Sequence, residues 1–181
     1  MILFLTGFMG CGKSTIARRL AERLGWDFLD LDAETERRGG ATVPEVFDSA
    51  GEEGFRRLES ETLKAVVAEY SGRNLVVAAG GGTPCREENL DVMKEAGMTV
   101  YLRMSPAKLL RRLERSRTRR PMLAGIAGDG LKDYVENLLV LREPFYMRAN
   151  MALDCDGAND DYIIGHILTF LEYAPAMRPE I

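Results

Sequence analysis

The chain contains one histidine and three cysteines among its 181 residues. Cys11, Cys85 and Cys155 are odd in number and far apart, and none shares a metal-ligand spacing with His166. This pattern argues against a disulfide scaffold and against a zinc site, and it fits thiols kept reduced in the cytosol. No secretory leader is expected either. Met1 runs straight into Ile2-Leu3-Phe4-Leu5, with no basic segment and no long apolar core. No apolar run approaches the ~18 residues that cross a bilayer, so a cytoplasmic protein with no membrane partner is expected. Repeats of fixed period and low-complexity linkers are absent, and nothing divides the chain.

Lysine is scarce as well. Of the 24 basic residues only Lys13, Lys64, Lys94, Lys108 and Lys132 are lysines, which leaves nineteen arginines. The net charge is −4, with 28 acidic residues, and this weighs against a nucleic-acid partner. Arginine is the side chain for bidentate recognition of carboxylate and phosphate, so an acidic, arginine-rich chain suits a small anion. What is present otherwise is globular: 46% hydrophobic and 29% charged residues, in a chain long enough to bury a full core.

Short apolar runs at 2–5, 28–31, 75–79, 100–102 and 151–153 alternate with longer amphipathic stretches. The runs read as buried parallel strands. In the first helix Ile16, Leu20 and Leu24 recur every four residues, and Gly25 stops it. Further helices are expected at 51–70, 87–95, 106–115, 131–146 and 160–173. Strand–helix alternation predicts an α/β fold with a parallel sheet covered on both faces. Ligands on such sheets sit at the carboxyl ends of the strands.

The first of those ends carries Gly7-Phe8-Met9-Gly10-Cys11-Gly12-Lys13-Ser14-Thr15, which fits G-x-x-x-x-G-K-[ST] between a strand and a helix. Gly10, Cys11, Gly12, Lys13, Ser14 and Thr15 are therefore candidate phosphate-binding residues, with amides and a helix amino terminus facing the anion. Lys13 would reach the β- and γ-phosphates of ATP, and the Ser14 hydroxyl would ligate Mg²⁺. The second strand ends in Asp30-Leu31-Asp32. Alternation along a strand puts both carboxylates on one side, near the phosphate loop. Asp30 is assigned to Mg²⁺, and Asp32 to the acceptor hydroxyl and its proton. The competing reading is two solvated acids capping a helix that begins near Ala33.

Gly80-Gly81-Gly82 follows the third strand and allows close approach of a ligand. Arg56 and Arg57 stand in a long helix, with Glu59 three residues beyond Arg56 as a possible partner. Six arginines between positions 111 and 120, followed by Pro121-Met122-Leu123-Ala124-Gly125, describe a basic helix running into a glycine-punctuated loop. That arrangement suits a lid which brings Arg120 to the transferring phosphoryl group. Arg142-Glu143-Pro144-Phe145-Tyr146 ends a later helix with another arginine.

Taken together these residues resemble the shikimate kinase family, a small P-loop group akin to the nucleoside-monophosphate kinases. Its order of motifs recurs here: Asp30/Asp32, Phe55-Arg56-Arg57-x-Glu59, the glycine triplet, Arg120-Pro121-x-Leu123 and Arg142-x-Pro144-x-Tyr146. The resemblance implies a three-layer α/β/α fold with a five-stranded parallel sheet in the order 2-3-1-4-5. It implies one kinase domain over 1–173, a shikimate-binding segment near 32–60, a lid near 112–128, and a tail at 174–181. It further implies ATP-dependent phosphorylation of the shikimate 3-hydroxyl to shikimate 3-phosphate and ADP, in chorismate and aromatic amino-acid biosynthesis, by a monomer. In that scheme Asp32 meets the ring hydroxyls, and Arg56 and Arg142 clamp the carboxylate beside Gly80, Gly81 and Gly82. Lys13, Asp32 and Arg120 act on the reaction, and Arg112 stacks on adenine. Two departures stand out: Met122 replaces a usual leucine, and 154–160 lacks an arginine common in the adenine loop.

Three other readings compete. One is a kinase of another small hydroxy acid such as gluconate. Another is a P-loop switch, although the Asn-Lys-x-Asp guanine motif is absent. The last is RNA binding through 111–120, which the acidic total disfavours.

Overall fold

A computed structural model describes residues 1–116, 123, 125–126 and 129–173. The expected lid residues Arg117, Arg119, Arg120, Pro121 and Met122 and the tail 174–181 lie outside the described residues.

Strand β1 (Ile2–Thr6) is buried along its whole length because it is the central strand. It pairs in parallel with β3 (Leu75–Ala78) on one side and β4 (Gly97–Arg103) on the other. Strand β2 (Asp27–Asp30) extends the sheet beyond β3, and β5 (Met151–Asp154) extends it beyond β4. The order is β2-β3-β1-β4-β5, all parallel, as the family resemblance implied.

Alternation along β1 divides the core. Leu3 and Leu5 face one layer, with Ile16 and Leu20 of α1 (Lys13–Leu24), Leu109 of α5 (Pro106–Arg115), Val135 of α6 (Asp129–Tyr146) and Ile164 of α7 (Asp160–Tyr173). Ile2 and Phe4 face the other, with Leu63 and Val66 of α3 (Val43–Glu69) and Met93 of α4 (Glu87–Ala96). Apolar side chains on both faces exclude water from the sheet and leave only its strand ends for chemistry.

Two helical segments were not legible from periodicity. Helix α2 (Leu31–Gly39) buries only Leu31 and Thr35, so its charged remainder carries little apolar rhythm. Helix α3 starts at Val43, eight residues before the expected start. Thr42 and Glu45 form a capping box there, with proline in the first turn, and T-x-x-E is a readable start signal. At Gly51, the expected start, the helix is broken by a residue at φ 70°, ψ −176°, which a side chain would strain.

Candidate active site

Three glycines shape the phosphate loop between β1 and α1. Gly7, Gly10 and Gly12 all have positive φ, and a side chain at Gly7 would meet the Leu102 carbonyl at 2.8 Å. Lys13 Nζ donates to the carbonyls of Gly7 at 2.9 Å and Phe8 at 3.1 Å, which holds the ammonium at the mouth of the loop. The Cys11 side chain is buried in the core, so only its backbone can serve an anion. Arg112 Nη1 donates to the carbonyls of Cys11 at 3.1 Å and Gly10 at 3.4 Å, which ties α5 to the loop. The cleft above the loop measures about 460 Å³ and is walled by Lys13, Ser14, Thr15, Asp30, Asp32 and Arg112, among others.

The two aspartates reach this cleft by a different route from the one alternation suggests. The strand ends at Asp30 and Leu31 already begins α2, so Asp32 lies in the first turn of a helix. Asp30 divides its oxygens: Oδ1 caps the helix by accepting from the amides of Asp32 and Ala33, and Oδ2 accepts from the Ser14 hydroxyl at 2.5 Å. The helix-capping reading and the cleft-facing reading of Asp30 are therefore both met by one residue. A hydroxyl and a carboxylate in contact at a phosphate loop are hard oxygen donors, and they fit Mg²⁺, which uses few protein oxygens beside water and phosphate.

Asp32 stands in the wall between the cleft and a second cavity, enclosed by protein on most sides yet open to solvent through both spaces. Burial pushes its carboxyl up from 3.8 to about 6; Glu59 and Asp30 add to the rise, and Lys13 and Arg56 oppose it. The second cavity is about 130 Å³. Its polar side carries Asp32, Arg56, Glu59 and Arg142, and its apolar side carries Met9, Val43, Phe47 and Phe55. Met9, Asp32 and Gly81 line both spaces and form the wall between them.

Arg56 and Arg142 are both nearly buried. Arg56 donates to Glu59 at 3.0 Å and to Glu52 at 3.3 Å, and these acids hold it protonated although burial opposes its charge. Its neighbour Arg57 is exposed. The glycine triplet makes room for these charges. A methyl group at Gly82 would lie 2.5 Å from the Arg56 guanidinium, and one at Gly81 3.5 Å from that of Arg142. Gly80 sits beneath them, lining neither space, against Asp32, Glu59 and Thr83. The Tyr146 hydroxyl donates to the Gly81 carbonyl at 2.5 Å and so fixes the triplet to α6.

The predicted residues thus fall into two adjoining groups, with Asp32 in both. Arg120 lies outside the described residues. Sequence reading missed the apolar wall of Met9, Val43 and Phe47. Phe47 stacks on Phe55 at 4.9 Å across the break at Gly51, and the capping box at Thr42 was the signal that would have found its helix.

A family model described as shikimate kinase matches residues 9–172. A shikimate kinase of Bacteroides thetaiotaomicron is 41% identical over 162 residues, covering 90% of this chain and 91% of the relative. The crystal structure of shikimate kinase from Bacteroides thetaiotaomicron superposes with a TM-score of 0.87 at 38% identity, over 95% of this chain and 98% of the other. Shikimate kinase from Acinetobacter baumannii in complex with shikimate gives 0.84 at 32% identity, over 98% and 95%. Motif order, sheet order, paired cavities and these likenesses agree, and the chain belongs to the shikimate kinase family.

Proposed function

We propose that the chain transfers the γ-phosphoryl group of ATP to the 3-hydroxyl of shikimate, giving shikimate 3-phosphate and ADP. The observation that carries this reading is Asp32, which stands in the wall shared by a phosphate cleft and a small cavity lined by two arginines. A carboxylate on that wall touches the acceptor hydroxyl on one side and faces the transferring group on the other. With its pKa near 6 it accepts the hydroxyl proton late in transfer.

The other roles follow from charge and reach. Loop amides from Gly10 to Thr15 and the Lys13 ammonium hold the phosphates and stabilise charge on the transferring group. Arg56 and Arg142 clamp the shikimate carboxylate from two elements, a planar geometry that lysine does not reproduce. Clamping fixes the ring against Gly81 and Gly82, with one hydroxyl toward the cleft, while Gly80, expected at the same wall, packs behind it. Ser14 and Asp30 would hold Mg²⁺, which when bound screens the phosphate charges. Arg112 lies beside the nucleotide cleft, and Arg120 would complete it from the lid near 112–128. In this reading residues 1–173 form one kinase domain acting as a cytoplasmic monomer, with acceptor contacts concentrated near 32–60. Among the described residues no helix is long and apolar enough to cross a membrane.

An ADP-release assay across shikimate, quinate and gluconate, with the product identified by mass, tests the reading. Turnover with shikimate is expected. Turnover with gluconate alone, or ATP binding with no acceptor phosphorylated, would overturn it.

A further inference from the structure

The Glu59 carboxylate is fully buried, and its oxygens are divided between two donors. Oε2 accepts from Arg56 Nη1 at 3.0 Å, and Oε1 accepts from the Thr83 hydroxyl at 2.6 Å. We propose that Thr83 is a positioning residue for acceptor binding, acting through Glu59 on Arg56. The inference rests on the reading of Arg56 as a carboxylate-binding group. It goes beyond that reading because Thr83 lines neither the acceptor cavity nor the phosphate cleft.

A buried carboxylate that lacks a donor on one oxygen rotates toward another donor or takes up a proton, and both responses weaken its hold on a partner cation. Glu59 is the anchor that matters for Arg56. The other acid in contact, Glu52, is exposed and lies at 3.3 Å, where an ion pair fixes little. The donor that satisfies Glu59 is held in place by backbone. Thr83 opens a tight turn (Thr83–Cys85) directly after the glycine triplet, and its amide donates to the Gly80 carbonyl at 3.2 Å. Its carbonyl accepts from Asn89 Nδ2 at 3.1 Å, and both residues are fully buried. Gly80 permits the approach, because a methyl group there would stand 2.6 Å from Glu59 Oε1 and 2.8 Å from Thr83 Oγ1. A fixed hydroxyl thus sets a carboxylate, and the carboxylate sets a guanidinium in the acceptor cavity.

The test compares Thr83→Val, which keeps the shape and removes the donor, with Thr83→Ser, which keeps the donor. Thr83→Ala replaces the valine variant if that protein does not fold. Thr83→Val should raise KM for shikimate about ten-fold, the effect of one unsatisfied buried acceptor, with kcat and KM for ATP within about two-fold of wild type. Thr83→Ser should restore KM. In a Glu59→Gln background the valine substitution should add little, as two residues on one path require. An unchanged KM in Thr83→Val, an equal defect in Thr83→Ser, or additivity with Glu59→Gln would overturn the inference. Arg56→Lys, measured alongside, separates the two levels. If it leaves KM for shikimate unchanged, the reading of Arg56 fails and the Thr83 inference fails with it. If it raises KM and Thr83→Val does not, only the Thr83 inference fails.

Discussion

Replacing Gly82 by alanine adds one methyl group against the Arg56 guanidinium. Gly82 has φ −96° and ψ −14°, a conformation alanine adopts freely, so contact alone sets the outcome. The methyl would stand 2.5 Å from Nη1 and 2.6 Å from Cζ and Nη2, against about 3.5–4 Å for an ordinary contact. The guanidinium must therefore retreat by about 1 Å. Arg56 is only 8% exposed and its Glu59 contact is 3.0 Å, so a retreat of that size breaks the charge-assisted bond. Such a bond contributes about 1.5–3 kcal/mol, which corresponds to a rise of about ten- to a hundred-fold in KM for shikimate. Initial rates with shikimate varied at saturating ATP measure it, and KM for ATP should stay near wild type. The neighbouring glycines calibrate the reasoning through thermal melting. Gly81→Ala makes contacts of 3.4–3.6 Å and should melt near wild type. Gly80→Ala pushes on Asp32, Glu59 and Thr83 at 2.6–2.8 Å and should lower the melting temperature most. A wild-type KM in Gly82→Ala, or wild-type melting in Gly80→Ala, would refute the argument.

Lys13→Ala should lower kcat about 10²-fold or more, because a charge aimed at the transferring phosphates is lost; single-turnover rates check this, and near-normal transfer would remove Lys13 from the chemistry. Arg142→Lys should raise KM for shikimate while ATP affinity, read by calorimetry, stays unchanged. Collapse of ATP binding instead would show that the carboxylate clamp is misassigned. Asp32 also makes stability depend on pH. Its folded pKa of about 6 lies above the ordinary 3.8, so the fold favours the protonated form: its contribution is intact below about 3.8 and declines as pH rises through 6. Urea unfolding at pH 8 should find Asp32→Asn more stable relative to wild type than at pH 4, by well under the full value of the shift because the side chain is partly screened by solvent. A difference between the two proteins that does not vary with pH would refute the raised pKa of Asp32.

The features that could be read from the sequence were the local ones. G-x-x-x-x-G-K-[ST] is a backbone instruction in eight consecutive residues, and the strand order follows from strand–helix alternation together with the family likeness. Asp30 and Asp32 were brought to the right edge by a faulty route, since alternation holds only while the strand continues and Leu31 ends it. The lesson is sharpest at the glycine triplet. In sequence, three glycines signify freedom. In the fold they are packed against charged and polar side chains, with no positive φ among them. Their smallness is used for the close approach of Arg56, Arg142 and the Asp32–Glu59–Thr83 oxygens, so the triplet is a spacing device. Little local announces this because, Thr83 apart, the partners are remote in sequence: Glu59 and Asp32 from Gly80, Arg56 from Gly82, and Arg142 from Gly81. The same distance explains why nineteen arginines could suggest an anion but not locate it. A helical Arg56 with Glu59 three residues on reads as a surface pair. In the proposed reading it can serve as a binding group because the small triplet leaves room for that guanidinium away from water.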